Sequence, residues 1–321
     1  QQTVQIGHDF RVGSEGLRLG GQFTWSSTNP ATAISGFSVE SETIFGSVFA
    51  SYPLLRTRAN SLYADAGFEV ADQDVDLNGF ALTRDRVRMA YVRLSGEMTD
   101  KGSIQRVGGY SPYEPKLRLR YGAELRQGLD VLSASPDCRP NLLACLAGGA
   151  AGPSRIEADP TPLLVRLNTS AEYRPVPLWT LALSTQAQIT GDPLPSFEEL
   201  AAGSFSIGRG YDPGAVLGDS GILGSFELRY GSLSPETEDG VAWQPFVFSD
   251  VAFVWNEDPS RRATNPDRLW SAGGGLRLSW GRGIQSDMSI AVPLETPDLA
   301  QRKGDVRFLF SITARLFPWR F

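Results

Sequence analysis

Two charged residues in the last third of the chain are candidates for an ion pair, Arg209 and Asp250. Arg209 lies in a loop-like stretch, residues 205–221, whose glycines, proline and aspartates favour tight turns and positive φ angles. Asp250 lies in an alternating segment typical of a β-strand, residues 242–255. A guanidinium stays charged and offers a carboxylate planar, bidentate hydrogen bonding that a lysine does not reproduce. The chemistry that these residues predict is therefore electrostatic anchoring.

The sequence gives little support to catalysis or cofactor binding. The single histidine, His8, opens a strand-like segment, and no serine elbow motif accompanies it. Residues 208–210 are not a dinucleotide fingerprint because no helix follows, and residues 214–220 lack the lysine of a phosphate-binding loop. We predict no enzyme and no cofactor, with an outer-membrane lipase or protease as the alternative.

Metal and thiol chemistry has two candidate positions. Asp212 and Asp219 could offer oxygen ligands to calcium, but aspartates in a Gly-rich loop are better explained as turn formers, so we predict no metal. Cys138 and Cys145 are the only cysteines, and the one histidine, His8, is too distant in sequence to help complete a four-ligand zinc site. They predict a loop disulfide, and hence an oxidising compartment, with two free thiols as the alternative.

Composition leaves soluble and membrane classes open. A chain of 321 residues with 21% charged residues and a mean hydropathy of -0.18 resembles a soluble protein. A membrane β-barrel has a similar average, because its strands alternate lipid-facing and lumen-facing residues. No run approaches the ~20 apolar residues of a transmembrane helix, so any membrane crossing must use strands. A net charge of -6 without a basic block predicts no nucleic-acid partner.

Period-two alternation recurs along the chain and predicts an all-β fold. In the final run, apolar residues occupy the even positions from Val306 to Leu316, and Arg307, Thr313 and Arg315 lie between them. Runs of this kind predict thirteen strands, at residues 4–12, 17–27, 38–54, 59–75, 84–98, 116–129, 163–176, 178–190, 222–233, 242–255, 269–280, 284–295 and 306–317.

Tryptophan positions favour a membrane barrel over a soluble β-sandwich, which alternation alone does not distinguish. Trp243 and Trp255 have the same parity, and their separation spans roughly 30 Å along the membrane normal at ~3.3 Å per residue and ~40° tilt. Trp270 and Trp280 repeat the pattern on the next strand. Two girdles of interfacial aromatic residues would produce this spacing.

Strand parity also predicts the direction of Asp250. If Trp243 and Trp255 face lipid, then Phe248 and Asp250 face the lumen. A carboxylate in that position needs a partner or water, because an unpaired charge away from bulk solvent is costly. Arg209 is the candidate partner; the alternative leaves Arg209 solvated on a surface loop.

These segments resemble the outer-membrane transporters of two-partner secretion, the FhaC, ShlB and HecB family, and their BamA and TamA relatives. The family's loop motif, roughly (V/I)RG(F/Y) followed by GD.G, corresponds to residues 208–211 and 218–221. Its Phe-x-Asp-x-Gly strand motif corresponds to residues 248–252, where Ala252 replaces the glycine. The match is clear over residues 203–317, whereas the N-terminal half matches only as generic barrel sequence.

The resemblance implies a transmembrane antiparallel β-barrel of sixteen strands over residues 1–321, so that the missing strands would lie within residues 28–37, 99–115 or 146–162. It implies that the sixth extracellular loop, residues 203–221, folds into the lumen. The residues expected to anchor this loop are Arg209, Gly210, Tyr211, Phe248 and Asp250, and those expected to shape its turn are Gly218, Asp219 and Gly221. Alternation adds lumen-lining positions, namely Arg118, Arg120, Arg166, Glu172, Glu227, Arg229 and Arg277.

The function that the resemblance implies is secretion of an unfolded client protein across the bacterial outer membrane without ATP. Expected partners are the client, membrane lipid, lipopolysaccharide and other outer-membrane proteins, and periplasmic POTRA domains are expected upstream. Two alternatives remain open at this point: a barrel-assembly factor of the BamA or TamA kind, and a passive scaffold in a larger surface complex.

Overall fold

The computed structural model describes residues 2–29, 38–145, 151–235, 237, 239–261, 265–281, 283–297 and 303–315. Its strands are β1 (Gln2–Val12), β2 (Leu17–Thr28), β3 (Val39–Arg56), β4 (Asn60–Leu77), β5 (Phe80–Thr99), β6 (Leu117–Gly128), β7 (Leu163–Val176), β8 (Trp179–Thr190), β9 (Leu200–Ala202), β10 (Val216–Gly218), β11 (Ser220–Tyr230), β12 (Val241–Trp255), β13 (Asp267–Trp280), β14 (Ile284–Pro293) and β15 (Arg307–Ala314). The helices are α1 (Lys101–Ile104), α2 (Leu142–Cys145) and a 3₁₀ turn, Ser196–Glu198. No helix in the described ranges is long and apolar enough to cross a membrane.

Thirteen of the strands form one antiparallel sheet, in which each strand is bonded to its neighbour in the chain. The one interruption is at β8, which pairs directly with β11, while β9 and β10 form a separate two-stranded sheet. The thirteen segments predicted from alternation correspond one to one with the strands of the main sheet. Because the number is odd, β1 and β15 run in the same direction, and no pairing joins these two strands within the described residues.

The three segments expected to hide further strands do not supply them where the structure describes them. Residues 100–116 form α1 and turns, because the Asp100 side chain caps the helix at the Ser103 N–H and Arg106 takes a φ of 59°. Residues 151–162 form bends and turns. Residues 30–37 and 146–150 lie outside the described residues. The described chain therefore has thirteen main-sheet strands where the resemblance implied sixteen.

The two faces of the main sheet have opposite character. Val48, Val92, Trp243 and Phe308 lie on the outer face, and each is more than half exposed at 60%, 57%, 55% and 66%. A continuous exposed apolar face of this kind suits lipid. The inner face carries the arginine and glutamate side chains, since directly paired residues of neighbouring strands share a face.

The two longest connections lie at the same end of the sheet. Residues 13–16, 57–59 and 177–178 are short turns at one end, whereas residues 129–162 and 191–219 are long loops at the other. We call residues 191–219 the inner loop, because it packs on the inner face. Its apolar residues form a buried cluster with strands β11 to β13, made of Ala202, Ile207, Tyr211, Val216, Leu223, Ala252, Val254 and Leu269.

Candidate functional site

The tip of the inner loop lies against strands β13 and β14. Tyr211 is fully buried, and its hydroxyl lies 2.8 Å from the backbone carbonyl oxygens of both Trp270 and Glu295. A Cβ atom added at Gly210 would lie 2.7 Å from Cβ of Ser271 and 2.9 Å from the backbone nitrogen of Pro293. The contact therefore requires glycine at position 210, because a real Cβ does not approach other heavy atoms so closely.

Arg209 and Asp250 form the centre of what we call the first anchor. The Arg209 guanidinium donates to both Asp250 oxygens, from Nε at 2.9 Å and from Nη2 at 2.7 Å. The backbone N–H groups of Gly208 and Arg209 donate to the same carboxylate at 3.1 and 3.0 Å. Nη2 also donates to Ser225 at 2.9 Å, and Nη1 donates to Glu227. Asp250 is 0% exposed, so four charge-assisted hydrogen bonds replace its hydration.

The first anchor continues into a network across the inner face. Glu227 accepts hydrogen bonds from Arg277 at 3.0 and 3.1 Å and from Arg229 at 2.7 Å. Arg229 in turn donates to Glu172 at 2.9 Å, and Arg277 donates to Asp287 at 2.6 Å. Cations and anions alternate through this network, which lets several charges remain away from bulk water.

Phe248 forms the floor of the first anchor. Cζ of Arg209 lies 3.5 Å from the centroid of the Phe248 ring, close enough for a cation–π interaction. The ring itself lies on Gly273 of the neighbouring strand, where an added Cβ would come within 2.7 Å of it. Arg277 stacks on Phe246 in the same way, with Cζ 4.1 Å from the centroid. Backbone, ring and guanidinium thus form three layers.

A second anchor, which the sequence did not predict, holds the N-terminal part of the inner loop. Glu198, in the 3₁₀ turn, accepts from Arg126 Nε at 3.0 Å and Nη2 at 2.8 Å, and its carboxylate lies 2.9 Å from Nη2 of Arg166. Arg126 also donates to Glu124 at 2.8 Å and to Glu69 at 2.7 Å. Glu198 and Arg126 are 5% and 4% exposed. The only sequence signal was that Arg126 belongs to the alternating run containing Arg118 and Arg120.

Asp219 makes a third contact, at the bend between β10 and β11. Its fully buried carboxylate accepts from Arg155 at 2.6 Å and from the backbone N–H groups of Leu194 at 2.8 Å and Glu257 at 2.7 Å. Gly218 ends β10 and Gly221 lies within β11, so the motif connects these two strands. Arg155 ties the long loop 129–162 to the inner loop.

The predicted lumen-lining residues all lie on the inner face of the sheet, as the register with Asp250 and its neighbours shows. They are Arg118, Arg120, Arg166, Glu172, Glu227, Arg229 and Arg277. Of these, Glu172, Glu227, Arg229 and Arg277 belong to the network of the first anchor, and Arg166 belongs to the second. Arg120 instead pairs with Glu97, at 3.1 Å.

The cysteine pair lies far from both anchors, in the long loop 129–162. Cys138 and Cys145 form a disulfide with an S–S distance of 2.15 Å. Beside it, the Arg139 guanidinium donates to both oxygens of Asp137 at 2.8 Å and so lowers the pKa of that carboxyl below its usual value. This chemistry is structural and belongs to the external loop.

Comparisons with known proteins agree with this architecture. The sequence profile described as haemolysin secretion/activation protein ShlB/FhaC/HecB matches residues 50–278. No curated protein matches the chain.

Three solved structures share the fold. CdiB from Escherichia coli has a TM-score of 0.74 at 14% identity, covering 97% of this chain and 53% of that one. CdiB from Acinetobacter baumannii has a TM-score of 0.67 at 15% identity, covering 97% and 50%. BamA from Haemophilus ducreyi, in a structure lacking POTRA domains 1–3, has a TM-score of 0.61 at 15% identity, covering 97% and 62%. The chain thus spans about half the length of the CdiB proteins.

Proposed function

Because the chain belongs to the ShlB/FhaC/HecB family of haemolysin secretion/activation proteins, and so is an outer-membrane β-barrel protein, we propose that it secretes a client protein. The client would cross from periplasm to cell surface in an unfolded state. Transport would proceed without ATP, as the family resemblance implies. POTRA domains ahead of the barrel, which would receive the client, stay a prediction.

The observation that carries this proposal is the anchored inner loop. A polypeptide segment that lies on the inner face and is held by a buried Arg209–Asp250 pair restricts the lumen at rest. Besides its apolar cluster with β11 to β13, the loop is attached through ion pairs, which can be exchanged for other polar partners. A transporter needs an element of this kind, because a permanently open pore of polypeptide width would leak small solutes.

The test is client secretion in a strain that lacks the chromosomal copy and carries variants of this chain. Arg209→Ala is expected to leave the barrel in the membrane and to abolish secretion, because the loop loses its main attachment. Arg209→Lys is expected to restore little, since an ammonium does not bond both Asp250 oxygens. Arg18→Ala is the matched control: Arg18 pairs with Asp9 at 2.8 Å in a half-exposed pair between β1 and β2. Normal secretion by Arg209→Ala would refute the role of the anchor.

One observation supports a second candidate, an assembly factor that inserts other barrels. Such a factor would use accessible strand edges, and within the described residues β1 and β15 each pair on one side only. The deletion strain separates the two functions. Loss of one secreted client with normal levels of other outer-membrane proteins favours secretion, whereas a general fall in outer-membrane barrels favours assembly.

A further inference from the structure

Two cavities lie beside the inner loop on the inner face of the sheet. One is lined by strands β3 to β7, and the other by β6 to β8, β11 and β13. The upper cavity, at the end with the long loops, has a volume of about 520 Å³ and is lined by Arg126 and Phe197 among others. The lower cavity has a volume of about 490 Å³ and is lined by Arg120 and by Phe205 at the loop tip. Asn168 of β7 lines both cavities, so they meet at this side chain.

The cavities are stacked along the strands. Arg120 and Arg126 lie on the same face of β6, and six residues at ~3.3 Å each place them ~20 Å apart along the strand. An extended chain has a cross-section of ~5 by ~10 Å, so each cavity holds ~3 extended residues. Together they accommodate a segment of ~20 Å, which is most of the ~25 Å apolar height of an outer-membrane barrel.

The second anchor lies in the wall of the upper cavity, beside the junction at Asn168. Glu198, Arg126 and Arg166 line the upper cavity, and Arg166 and Asn168 follow one another on the inner face of β7. Glu198 is the one member of this ion cluster that the loop supplies. If Glu198 moves away, Arg126 keeps hydrogen bonds to Glu124 and Glu69. Arg166 loses its carboxylate partner, but it is one-third exposed and keeps its hydrogen bond to Gln188, so neither arginine loses all its partners.

The first anchor has the opposite property. All the hydrogen bonds described above for the Asp250 carboxylate come from Gly208 and Arg209, on the loop. Withdrawing the loop tip would leave a fully buried carboxylate without these partners, which is the costly way to break an ion pair. The part of the loop around Glu198 is therefore easier to release than the part around Arg209.

We propose that an unfolded polypeptide crosses the lumen along the inner wall of β6 and β7, through both cavities and past Asn168, and that the second anchor opens for it while the first anchor stays closed. This inference rests on the proposed secretion function. The part of the lower cavity formed by β7 and β8 suits such a ligand, because its side chains are mostly neutral and polar: Asn168, Ser170, Ser184 and Gln186. Arg209 and Glu227 of the first anchor also line this cavity. Contacts of this type are weak and largely independent of sequence, as transport requires.

Cysteine labelling tests the path, because both native cysteines are in the disulfide and no free thiol competes. The full chain carrying Asn168→Cys is reconstituted in planar bilayers and exposed to a Gly/Ser-rich polypeptide, which stays an unfolded coil. Attachment of a bulky maleimide is expected to lower the frequency of current blockades about tenfold. The matched control is Ser311→Cys, on the inner face of β15 level with Asp287 and Arg277. Labelling there is expected to change the frequency less than about twofold.

Charge removal tests which anchor opens. Glu198→Gln is expected to raise the frequency of open events in the same bilayers about tenfold, since it weakens a charge-assisted pair. Asp9→Asn, in the half-exposed pair with Arg18, is the matched control and is expected to behave as wild type. Equal blockade after labelling at Ser311 and Asn168, or an unchanged opening frequency in Glu198→Gln, would overturn the inference. Correct bilayer results in a chain that secretes no client would overturn only the proposed function.

Discussion

The two anchors of the inner loop use the same chemistry with the charges exchanged. At the first anchor the loop supplies a cation, Arg209, to an anionic wall, and at the second it supplies an anion, Glu198, to a cationic wall. The first wall depends on the loop for neutralisation, because Asp250 is fully buried beneath Arg209. The second depends on the loop less, because Arg126 keeps two other carboxylates and Arg166 keeps a hydrogen bond to Gln188. Similar ion pairs can therefore form a fixed attachment at Arg209 and a releasable contact at Glu198.

Removing Arg209, the cation of the first anchor, is expected to have the largest effect. Arg209→Ala leaves Asp250 buried without the guanidinium, and we expect the folded state with a docked loop to lose ~3–5 kcal/mol. The measurement is protease cleavage within the inner loop of the reconstituted barrel, which rises as the loop detaches. The double variant Arg209→Ala/Asp250→Ala is expected to recover part of this loss, because the uncompensated charge is gone. If the double variant were worse than the single one, burial of Asp250 would not be the cause.

Steric contact at the tip gives the next largest effect. Gly210→Ala places a methyl group against Ser271 and Pro293, and overpacking of this kind costs ~1–3 kcal/mol. We expect more loop cleavage without any change of charge. Gly191→Ala is the matched control, since nothing lies within 4 Å of its added Cβ in the same loop. Equal cleavage in both variants would show that the tip is not closely packed against β13 and β14.

The main sheet could be predicted from the sequence because alternation is a local signal. Each of the thirteen strands could be predicted from the alternation within its own segment. The parity of β12 also predicts that Asp250 faces inward, without any long-range information. Glu198 lacked such a signal, since it lies in an irregular loop and its partner Arg126 is 72 residues away. Arg155 was missed for the same reason, being 64 residues from Asp219.

The resemblance carried information that periodicity does not contain, and it also misled. It directed attention to residues 208–211 as an inward-folded loop, which no local pattern indicates. It also implied sixteen strands, which led to the wrong expectation of a strand within residues 99–115. There the Asp100 cap and a residue with positive φ, Arg106, favour a helix and turns. In that segment, local conformational preferences determine the structure, and they differ from the strand that the family resemblance implied.

At the second anchor, the stability costs of two single variants can be ranked and compared with those at the first anchor. Glu198→Gln is expected to cost ~1–2 kcal/mol, because one charge-assisted contact is weakened while Arg126 stays paired. Arg126→Gln is expected to cost more, since it leaves Glu69, Glu124 and Glu198 close together with less positive charge. Loop cleavage and thermal unfolding in detergent measure both. A larger cost for Glu198→Gln than for Arg126→Gln would mean that the inner face depends on the loop residue here, as it does at the first anchor.

The smallest expected effect concerns the aromatic floor of the first anchor. Phe248→Leu keeps an apolar side chain over Gly273 but removes the ring on which the Arg209 guanidinium stacks at 3.5 Å. A desolvated cation–π contact contributes ~1–2 kcal/mol, so we expect a modest rise in loop cleavage. Phe246→Leu is the matched comparison, because that ring carries Arg277, a wall residue, and not the loop itself. The loop should therefore respond to the first substitution more than to the second. If both substitutions release the loop equally, the floor acts by shaping the wall, and the stacking contact with Arg209 contributes nothing specific to anchoring.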